Sequence, residues 1–315
     1  MRSEFQFIRN IKNKYGLRQI GDDCAVMPKN TTKDMVLTVD MLVEDIDFRL
    51  DWVTPESLGH KALAVSLSDV AAMGGTPRWA MLSIGIPASI WSSKFVDKFY
   101  AGWFRLAGEH NVDLIGGDVS RTTDKAVIDS IVGGEVRRGK AILRSGAKPG
   151  DSIFVTGALG GAAGGLSLLE KSGAIQKWNK KEGELLRRQL RPTPQIEIGK
   201  YLSRYEIATS MIDISDGLAA DLHHLCDASS VGARIELDKI PIDGNLSVIK
   251  NENHELALGG GEDFELLFTS KKKIISREKL SPISRIGEIT SNARIVELVE
   301  NNSIVRLPPK GFQHF

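Results

Sequence analysis

The segment Met-Ile-Asp-Ile-Ser-Asp-Gly, residues 211–217, marks a point where a buried strand gives way to a helix. The apolar run 209–212 precedes it, and leucines recur at helical spacing after Gly217. One acid could cap such a helix. Asp213, however, ends an apolar run, where an unpaired charge is costly, and a bound Mg²⁺ or similar hard cation would remove that cost. Taken alone, the motif favours a turn and a cap over a metal site.

The composition is that of an ordinary soluble globular protein. The chain has 315 residues, 42% of them hydrophobic and 26% charged, with a net charge of +1. This charge balance does not favour nucleic-acid binding. Cys24 and Cys226 are the only cysteines, which excludes a disulfide framework and a four-cysteine zinc site. No apolar run is long enough to span a membrane and no signal core is evident, so we expect a cytoplasmic protein.

Strands alternate with helices in both halves, which predicts two α/β (α+β) domains. The polar segment 145–151 contains glycine and proline and is the best boundary, giving an N-terminal domain over 1–146 and a C-terminal domain over 147–315. The pattern predicts a helix followed by a turn near residue 15 within 1–20, and helices over 56–73 and 95–106. It predicts strands over 35–39, 79–86, 112–115, 127–132, 141–143 and 152–156.

Acids recur at the ends of these strands. Asp40 follows the strand 35–39, Asp118 follows a Gly-Gly turn after the strand 112–115, and Asp23 follows another glycine turn. Asp69 is different, because it lies inside the helix 56–73, too late to act as a cap. A carboxylate there needs a partner, and an arginine or lysine is as good an explanation as a metal ion.

Six aspartates could converge, and their repulsion would then require cations. One pair 4 Å apart costs about 4 kcal/mol at an effective dielectric constant of 20. Several Mg²⁺ ions commonly accompany phosphate groups, so the pattern suggests phosphoryl transfer. The residues alone therefore indicate a Mg²⁺-dependent enzyme acting on a nucleotide or another phosphate. The glycine-rich run 157–165 resembles a nucleotide-binding turn only loosely, and close helix packing explains it at least as well.

Eight motifs in this order carry a family resemblance: GDDCAV (21–26), TVDMLVEDIDF (38–48), KALAVSLSDVAAMGG (61–75), LIGGD (114–118), LRSGAKPGD (143–151), IDISDGL (212–218), GGEDFEL (260–266) and KGFQHF (310–315). Together they resemble the thiamine-monophosphate kinase family, in the superfamily of aminoimidazole ribonucleotide synthetase and selenophosphate synthetase. The resemblance implies direct in-line transfer of the γ-phosphoryl group of ATP to thiamine monophosphate. It also implies several bound Mg²⁺ ions and a two-domain aminoimidazole ribonucleotide synthetase-like fold, with N-terminal sheets paired across a homodimer.

The resemblance also implies roles for individual residues. Metal ligands would be Asp23, Thr38, Asp40, Asp69, Asp118, Asp213 and Asp216. Nucleotide contacts would be Tyr100, Gly117, Asp118, Arg144 and Ser215. Contacts to thiamine monophosphate would be Asp47, Glu262 and Phe312, and an acid and an aromatic face both suit a cationic thiazolium ring. Family members often have Gly-x-His where this chain has Asp-Ile-Asp at 45–47.

Two other functions stay open. The chain could be another ATP-dependent member of the superfamily, although no reactive cysteine precedes Cys24, as a selenophosphate synthetase would require. It could instead be a non-catalytic nucleotide or Mg²⁺ sensor, although simple binding does not need six carboxylates. Mg²⁺-dependent consumption of ATP would separate an enzyme from a sensor.

Overall fold

A computed structural model describes residues 4–16, 21–91, 93–173, 177–249, 253–272 and 282–314. The helices are α1 (Glu4–Tyr15), α2 (Pro55–Ala72), α3 (Ala88–Trp91), α4 (Phe95–His110), α5 (Gly161–Ser172), α6 (Lys180–Leu190), α7 (Ile196–Arg204), α8 (Leu218–Ser229) and α9 (Asn253–Gly259). The strands are β1 (Ala25–Pro28), β2 (Lys33–Val43), β3 (Thr76–Pro87), β4 (Asp113–Thr122), β5 (Val127–Arg137), β6 (Ser152–Thr156), β7 (Ser210–Asp213), β8 (Gly232–Glu236), β9 (Leu266–Ser270), β10 (Ile283–Thr290), β11 (Val296–Glu300) and β12 (Ser303–Arg306).

Within the described residues, the first sheet has the strand order β1-β2-β5-β3-β4. Helix α2 packs on one face of this sheet and α4 packs against α2. Thr54 starts α2 by accepting a hydrogen bond from the Ser57 N–H, 3.2 Å away, and Pro55 follows at the first helical position. The two helices can cross closely because Gly59 has no side chain. A Cβ at this position would collide with the Phe99 carbonyl oxygen. Helix α2 is therefore locked in place, and most of its side chains are buried.

The second sheet, again within the described residues, has the order β12-β11-β8-β10-β6-β9-β7. Its central strands lie between two cores. Ile153 and Val155 of β6 pack with α8, whereas Phe154 points to the opposite face and stacks on Phe268 of β9 with ring centroids 5.3 Å apart. Burial on both faces explains why these strands are continuously apolar in sequence. The predicted mixed α/β class with two sheets is confirmed.

Two local predictions need correction, and one strand was missed. Residues 141–143 form no strand; they are irregular, and the Ile142 N–H donates to the Met73 carbonyl oxygen over 3.2 Å. The Gly-Gly-Asp sequence at 116–118 is not a turn, since it lies inside β4. Glycine is required there because a Cβ at Gly117 would collide with the Leu82 carbonyl oxygen on β3. Strand β10 was not predicted.

The N-terminal helix predicted over 1–20 is present as α1, while residues 1–3 and 17–20 of that prediction lie outside the described residues. Phe315, at the end of the KGFQHF motif, also lies outside them. None of the helices in the described part of the chain is both long enough and apolar enough to cross a lipid bilayer.

Candidate active site

The 211–217 segment connects the parts of the site. Strand β7 ends at Asp213, which is buried. In the turn that follows, the Ser215 carbonyl oxygen accepts a hydrogen bond from the Glu262 N–H over 2.8 Å. The Asp216 carbonyl oxygen accepts one from the Phe312 N–H over 3.0 Å. One short turn therefore fixes the aspartates, the glycine-rich loop before β9 and the C-terminal segment relative to one another.

Three aspartates from distant parts of the chain form a cluster. Asp23 precedes β1, Asp69 lies in α2 and Asp213 ends β7, yet each contributes a carboxylate oxygen to a group within 4.8 Å of one another. Hydroxyl groups orient two of them. The Thr38 hydroxyl donates to Asp69, and the Ser68 hydroxyl donates to Asp213 over 2.6 Å.

Asp40 adjoins this cluster. It lies two positions after Thr38 on β2, so both side chains point to the face that α2 covers. The Ser66 hydroxyl of α2 donates a hydrogen bond to Asp40 over 2.7 Å. Helix α2 thus supplies Ser66, Ser68 and Asp69 to one acidic group, and its close packing keeps them fixed.

The electrostatics of the cluster disfavour ionisation of its carboxyl groups. Burial raises the pKa of Asp213 to about 8, with Asp23 adding to the effect and the Ser68 hydrogen bond opposing it. Burial also raises the pKa of Asp69 well above its ordinary value, reinforced by the charges of Asp40 and Asp213. For Asp40, burial raises the pKa to about 6. Negative charge here is costly unless a cation compensates it.

Arg144 supplies one positive charge. Its guanidinium donates to Asp23 over 2.7 Å, and its backbone N–H donates to Asp22 over 2.7 Å. Burial alone would lower the pKa of Arg144, but Asp23 raises it above its ordinary value. Among the described residues, no arginine or lysine forms an ion pair with Asp69, so the alternative of a basic partner for that acid is not supported. One guanidinium faces four clustered carboxyl groups.

The donor set suits a hard divalent cation. All the clustered side chains offer oxygen atoms, which Mg²⁺ prefers. The Asp23 Oδ2 atom is buried and has no hydrogen-bond partner among the described residues. An orphaned buried carboxylate oxygen is costly, and a cation beside it would satisfy it. Asp23, Asp69 and Asp213 are therefore the residues best placed to hold a metal ion, with Asp40 beside them.

The cluster opens into a cleft of about 640 Å³. Ser215 and Asp216 lie on its wall, together with Asp221 and His224 of α8. Asp221 holds the turn, because its carboxylate accepts the Gly217 N–H over 3.0 Å. The cleft is lined by Ile8, Arg9, Lys12, Gly21, Asp22, Asp23, Thr38, Val39, Asp40, Asp69, Arg144, Ser215, Asp216, Asp221, His224, Asp227, Ala228 and Arg294.

A second group of side chains forms around Lys61, a buried lysine of α2. Its ammonium pairs with Glu262 over 2.6 Å and donates to the Asp47 carbonyl oxygen over 3.3 Å. Gln189 donates to the other carboxylate oxygen of Glu262. Lys61 therefore ties a loop of the N-terminal half to the glycine-rich loop of the C-terminal half.

Phe312 closes this group. Its ring is 46% exposed and meets the His314 ring edge to face, with centroids 4.8 Å apart. Burial raises the pKa of Asp47, and the Val43 N–H, which donates to its carboxylate over 2.7 Å, opposes that shift together with the charges of His314 and Lys61. The three residues predicted to contact thiamine monophosphate are linked indirectly. Lys61 connects Glu262 to the Asp47 backbone, and the backbones of Glu262 and Phe312 bind adjacent residues of the turn, Ser215 and Asp216.

Three predicted residues lie elsewhere within the single chain. Asp118 pairs with Ser83 in the β3–β4 register, so it faces away from α2 and from the aspartate cluster. Gly117 adjoins it on the same edge strand. Tyr100, on α4, packs against the core with its ring edge on Phe99 at 5.6 Å. None of the three lines the cleft as it is described within one chain.

The glycine-rich run 157–165 has a structural explanation. Asp263 accepts hydrogen bonds from the N–H groups of Gly160, over 2.6 Å, and Ala162, over 3.1 Å, at the start of α5. A protein carboxylate therefore occupies the place that a phosphate would take. Helix α5 also packs closely on α6, which Gly165 permits because it has no side chain. A Cβ at this position would collide with the Leu185 carbonyl oxygen.

Sequence reasoning missed three supporting residues, Lys61, Ser66 and Ser68. A signal was present, because a lysine inside a helix of small apolar residues is as anomalous as Asp69. Ser66 and Asp69 are three positions apart and hence on one helix face. The partners of these residues could not be inferred, since they lie on other strands and loops.

Fold and site together define the class of AIR synthase related proteins. The family model for the N-terminal domain of that class matches residues 21–147, and the model for its C-terminal domain matches residues 148–300. Thiamine-monophosphate kinase of Bacillus subtilis (strain 168) is 37% identical over 304 residues, covering 94% of this chain and 93% of the relative. That of Escherichia coli (strain K12) is 38% identical over 309 residues, covering 94% and 91%. The chain belongs to the thiamine-monophosphate kinase family.

Solved structures agree with this assignment. A structure of AaThiL complexed with AMPPCP and TMP matches with a TM-score of 0.90 at 34% identity, covering 99% of this chain and 97% of that one. The crystal structure of thiamine monophosphate kinase from Aquifex aeolicus matches with a TM-score of 0.83 at 34% identity, covering 95% and 97%. The likeness therefore extends over both halves of the fold.

Proposed function

We propose that this protein phosphorylates thiamine monophosphate to thiamine diphosphate with ATP as the phosphoryl donor. An oxygen of the acceptor phosphate attacks the γ-phosphorus in line, the bond to the bridging oxygen of ADP breaks, and no phosphoenzyme forms. The observation that carries the proposal is that one turn connects a candidate metal and nucleotide site to a candidate thiamine site. The turn 214–217 joins the aspartate cleft to the Asp47, Glu262 and Phe312 group, and a solved relative holds both AMPPCP and TMP.

Asp23, Asp40, Asp69, Asp213 and Asp216 would hold Mg²⁺, with Thr38 as a weaker ligand. When bound, Mg²⁺ supplies positive charge that stabilises the phosphate oxygens during transfer. The protein's own contribution is positioning. Three hydroxyl groups fix the carboxylates, and Arg144 holds Asp23 in place while its remaining N–H groups are available to a nucleotide phosphate. Groups that are already oriented need no reorganisation when the reaction occurs.

The thiamine end would be recognised by Asp47 and Phe312. Both carboxylate oxygens of Glu262 are already engaged, by Lys61 and by Gln189, so its charge is compensated. Asp47 is half-exposed; its Oδ2 accepts the Val43 N–H over 2.7 Å, and its other carboxylate oxygen would face a cationic thiazolium ring. The Phe312 face can stack on the same cation. Glu262 then shapes the pocket and keeps the Lys61 contact in place.

We expect Asp47→Asn to raise the KM for thiamine monophosphate about tenfold while leaving the KM for ATP within about twofold. The reason is the loss of one partly desolvated charge pair with the thiazolium, worth about 1 to 2 kcal/mol. Steady-state kinetics with each substrate varied in turn measures this. Asp51→Asn is the matched control, because Asp51 is an exposed acid of a nearby loop paired with Arg49. Equal changes in both KM values would place Asp47 outside the thiamine pocket.

The protein would act as a homodimer. On the face of the first sheet away from α2, apolar side chains form a row across neighbouring strands, with Val39 opposite Ile131 and Ile131 opposite Met81. Val39 and Met41 are 61% and 60% exposed, unusual for apolar side chains in the middle of a sheet. A contiguous exposed apolar face marks an interaction surface. Pairing of two such sheets would cover this face, and it would bring Asp118 and Gly117 of β4 to the interface, where they and Tyr100 could contact the nucleotide.

Met41→Glu is accordingly expected to convert the dimer to a monomer, because it places a charge in the centre of the covered face. Sedimentation velocity reports the change in mass. Ile304→Glu is the control, since Ile304 is 53% exposed but lies on β12, at the far edge of the second sheet. A wild-type protein that sediments as a monomer at micromolar concentration would rule out the dimer.

³¹P NMR of the protein with ATP, Mg²⁺ and thiamine monophosphate tests the activity itself. We expect diphosphate resonances of thiamine diphosphate together with an equal amount of ADP. ADP and free phosphate without thiamine diphosphate would indicate a substrate of another superfamily member. An unchanged spectrum from folded protein would favour a nucleotide or Mg²⁺ sensor.

A further inference from the structure

Helix α1 contributes two cations to the aspartate cleft. Arg9 and Lys12 both line it, together with Ile8 of the same helix. They are three positions apart, which places them on one face of the helix. The Lys12 ammonium reaches the loop that carries Asp22 and Asp23, since it lies 2.8 Å from the position that a Cβ at Gly21 would occupy.

These two cations differ from the other basic groups of the cleft. Arg144 is paired with Asp23, and Arg294 lies 3.9 Å from Asp227. Among the described residues, neither Arg9 nor Lys12 forms an ion pair within 4.0 Å, although seven of the residues lining the cleft are aspartates. Both are therefore free to bind an anion that enters the cleft.

Arg9 of α1 and His224 of α8 line the same cleft. His224 of α8 has its pKa lowered to about 4, chiefly by burial and then by positive groups that include Arg144 and Arg9. Arg9 thus lies within electrostatic reach of α8, across the cleft mouth from its own helix. A ligand between α1 and α8 would meet Arg9 on one side and the turn 214–217 on the other.

We propose that Arg9 and Lys12 bind the phosphate chain of the nucleotide, so that α1 forms a basic wall opposite the acidic floor. The inference rests on the proposed use of ATP. Each substrate phosphate brings negative charge into a cleft that is already rich in aspartates. Guanidinium and ammonium groups bind phosphate oxygens with charge-assisted hydrogen bonds, and the planar guanidinium can do so through two N–H groups. Arg9 and Lys12 would act on binding and orientation of the donor rather than on the acceptor.

The test is direct binding of Mg²⁺-AMPPCP by isothermal titration calorimetry, for wild type, Arg9→Ala, Lys12→Ala and the double variant. We expect each single variant to weaken the affinity about fivefold or more and the double variant about 30-fold or more. The loss should shrink at high salt, because partly exposed ion pairs are screened. Lys14→Ala is the control, because Lys14 is exposed on the same helix and lies over the Tyr15 ring instead of lining the cleft.

Steady-state kinetics shows whether Arg9 and Lys12 bind the phosphates of ATP or the phosphate of thiamine monophosphate. A higher KM for ATP with an unchanged KM for thiamine monophosphate supports the proposal. A change only in the KM for thiamine monophosphate, or wild-type AMPPCP affinity in the double variant, overturns it. The calorimetric result does not depend on turnover, so weaker AMPPCP binding would support the role of α1 even if the protein failed to phosphorylate thiamine monophosphate.

Discussion

Asp69→Asn is expected to reduce turnover by about 10²- to 10³-fold while stabilising the metal-free protein. The amide matches the carboxylate in shape and can still accept the Thr38 hydrogen bond. It carries no charge, however, so it is a poor ligand for Mg²⁺, and loss of a preorganised electrostatic group commonly costs this much in rate. The same change removes repulsion with Asp23 and Asp213. Single-turnover ³¹P kinetics and urea unfolding in EDTA measure the two effects.

Asp34→Asn is the matched control for this experiment. Asp34, on β2, is also a buried acid. Its carboxylate accepts the Gly139 N–H over 2.7 Å and so has a structural role. Its replacement exchanges a charge-assisted hydrogen bond for a neutral one, so it should lower stability by about 1 kcal/mol and leave turnover of the folded protein unchanged. Opposite signs of the stability change would distinguish a functional acid from a structural one. Retained turnover in Asp69→Asn would remove this residue from the proposed metal site.

The pattern of the sequence was sufficient for most of the fold. Apolar runs predicted parts of β2, β3 and β5, and helical spacing predicted α2 and α4. Strand β10, with the sequence Ile-Ser-Arg-Ile-Gly-Glu-Ile-Thr, was missed because charged residues interrupt its apolar positions. The turn predicted at Gly116-Gly117 was wrong for a different reason. Two glycines normally mark a turn, but here Gly117 permits close approach of β4 to β3.

The candidate site was predictable as a set of anomalies but not as a geometry. Asp69 lies inside an apolar helix and Asp213 at the end of a buried strand. Burying an unpaired charge at such positions is unfavourable, so the sequence alone marks both residues as unusual. The Lys61–Glu262 ion pair was not visible, since the two residues meet only when the domains pack. Glu262 also has a φ of +66°, a conformation that a non-glycine residue rarely adopts and that its sequence does not announce.

Asp118 marks the limit of single-chain reasoning. The resemblance groups it with the other metal ligands, but one chain holds it on the open face of the first sheet, in register with Ser83. Its metal role stays a prediction, as do the nucleotide roles of Gly117 and Tyr100. A paired sheet would add a second surface to that face, so the role of Asp118 and the dimer are best tested together.

The metal-free protein is expected to lose about 1 to 3 kcal/mol of stability between pH 6.5 and pH 8. Mg²⁺ is expected to restore it. Asp69 and Asp213 have folded-state pKa values above that of an unfolded aspartate, about 8 for Asp213. In this pH range the unfolded state has released these protons, whereas folded Asp213 keeps most of its proton until the pH nears 8, and the raised pKa of Asp69 acts in the same direction. Stability must then fall as pH rises, by about 1.4 kcal/mol per pH unit for each such carboxyl group.

Three histidines oppose this slope in the lower part of the pH range. Burial lowers the pKa of His60, His110 and His224, so unfolding takes up protons at these positions below about pH 6.5 and stability rises with pH there. At pH 6.5 an unfolded histidine is still half-protonated, so each of the three adds up to about 0.4 kcal/mol of stability between pH 6.5 and pH 8 and offsets part of the fall. Above about pH 7.5 this contribution is complete. Urea unfolding at half-unit pH intervals, with EDTA and then with Mg²⁺, measures the slope. Mg²⁺ should stabilise the protein more at pH 8 than at pH 6.5, because its ligands must be deprotonated. Asp69→Asn should reduce the slope in EDTA. A wild-type stability that is constant or rises over this range would contradict the proposed cost of ionising the clustered carboxyl groups.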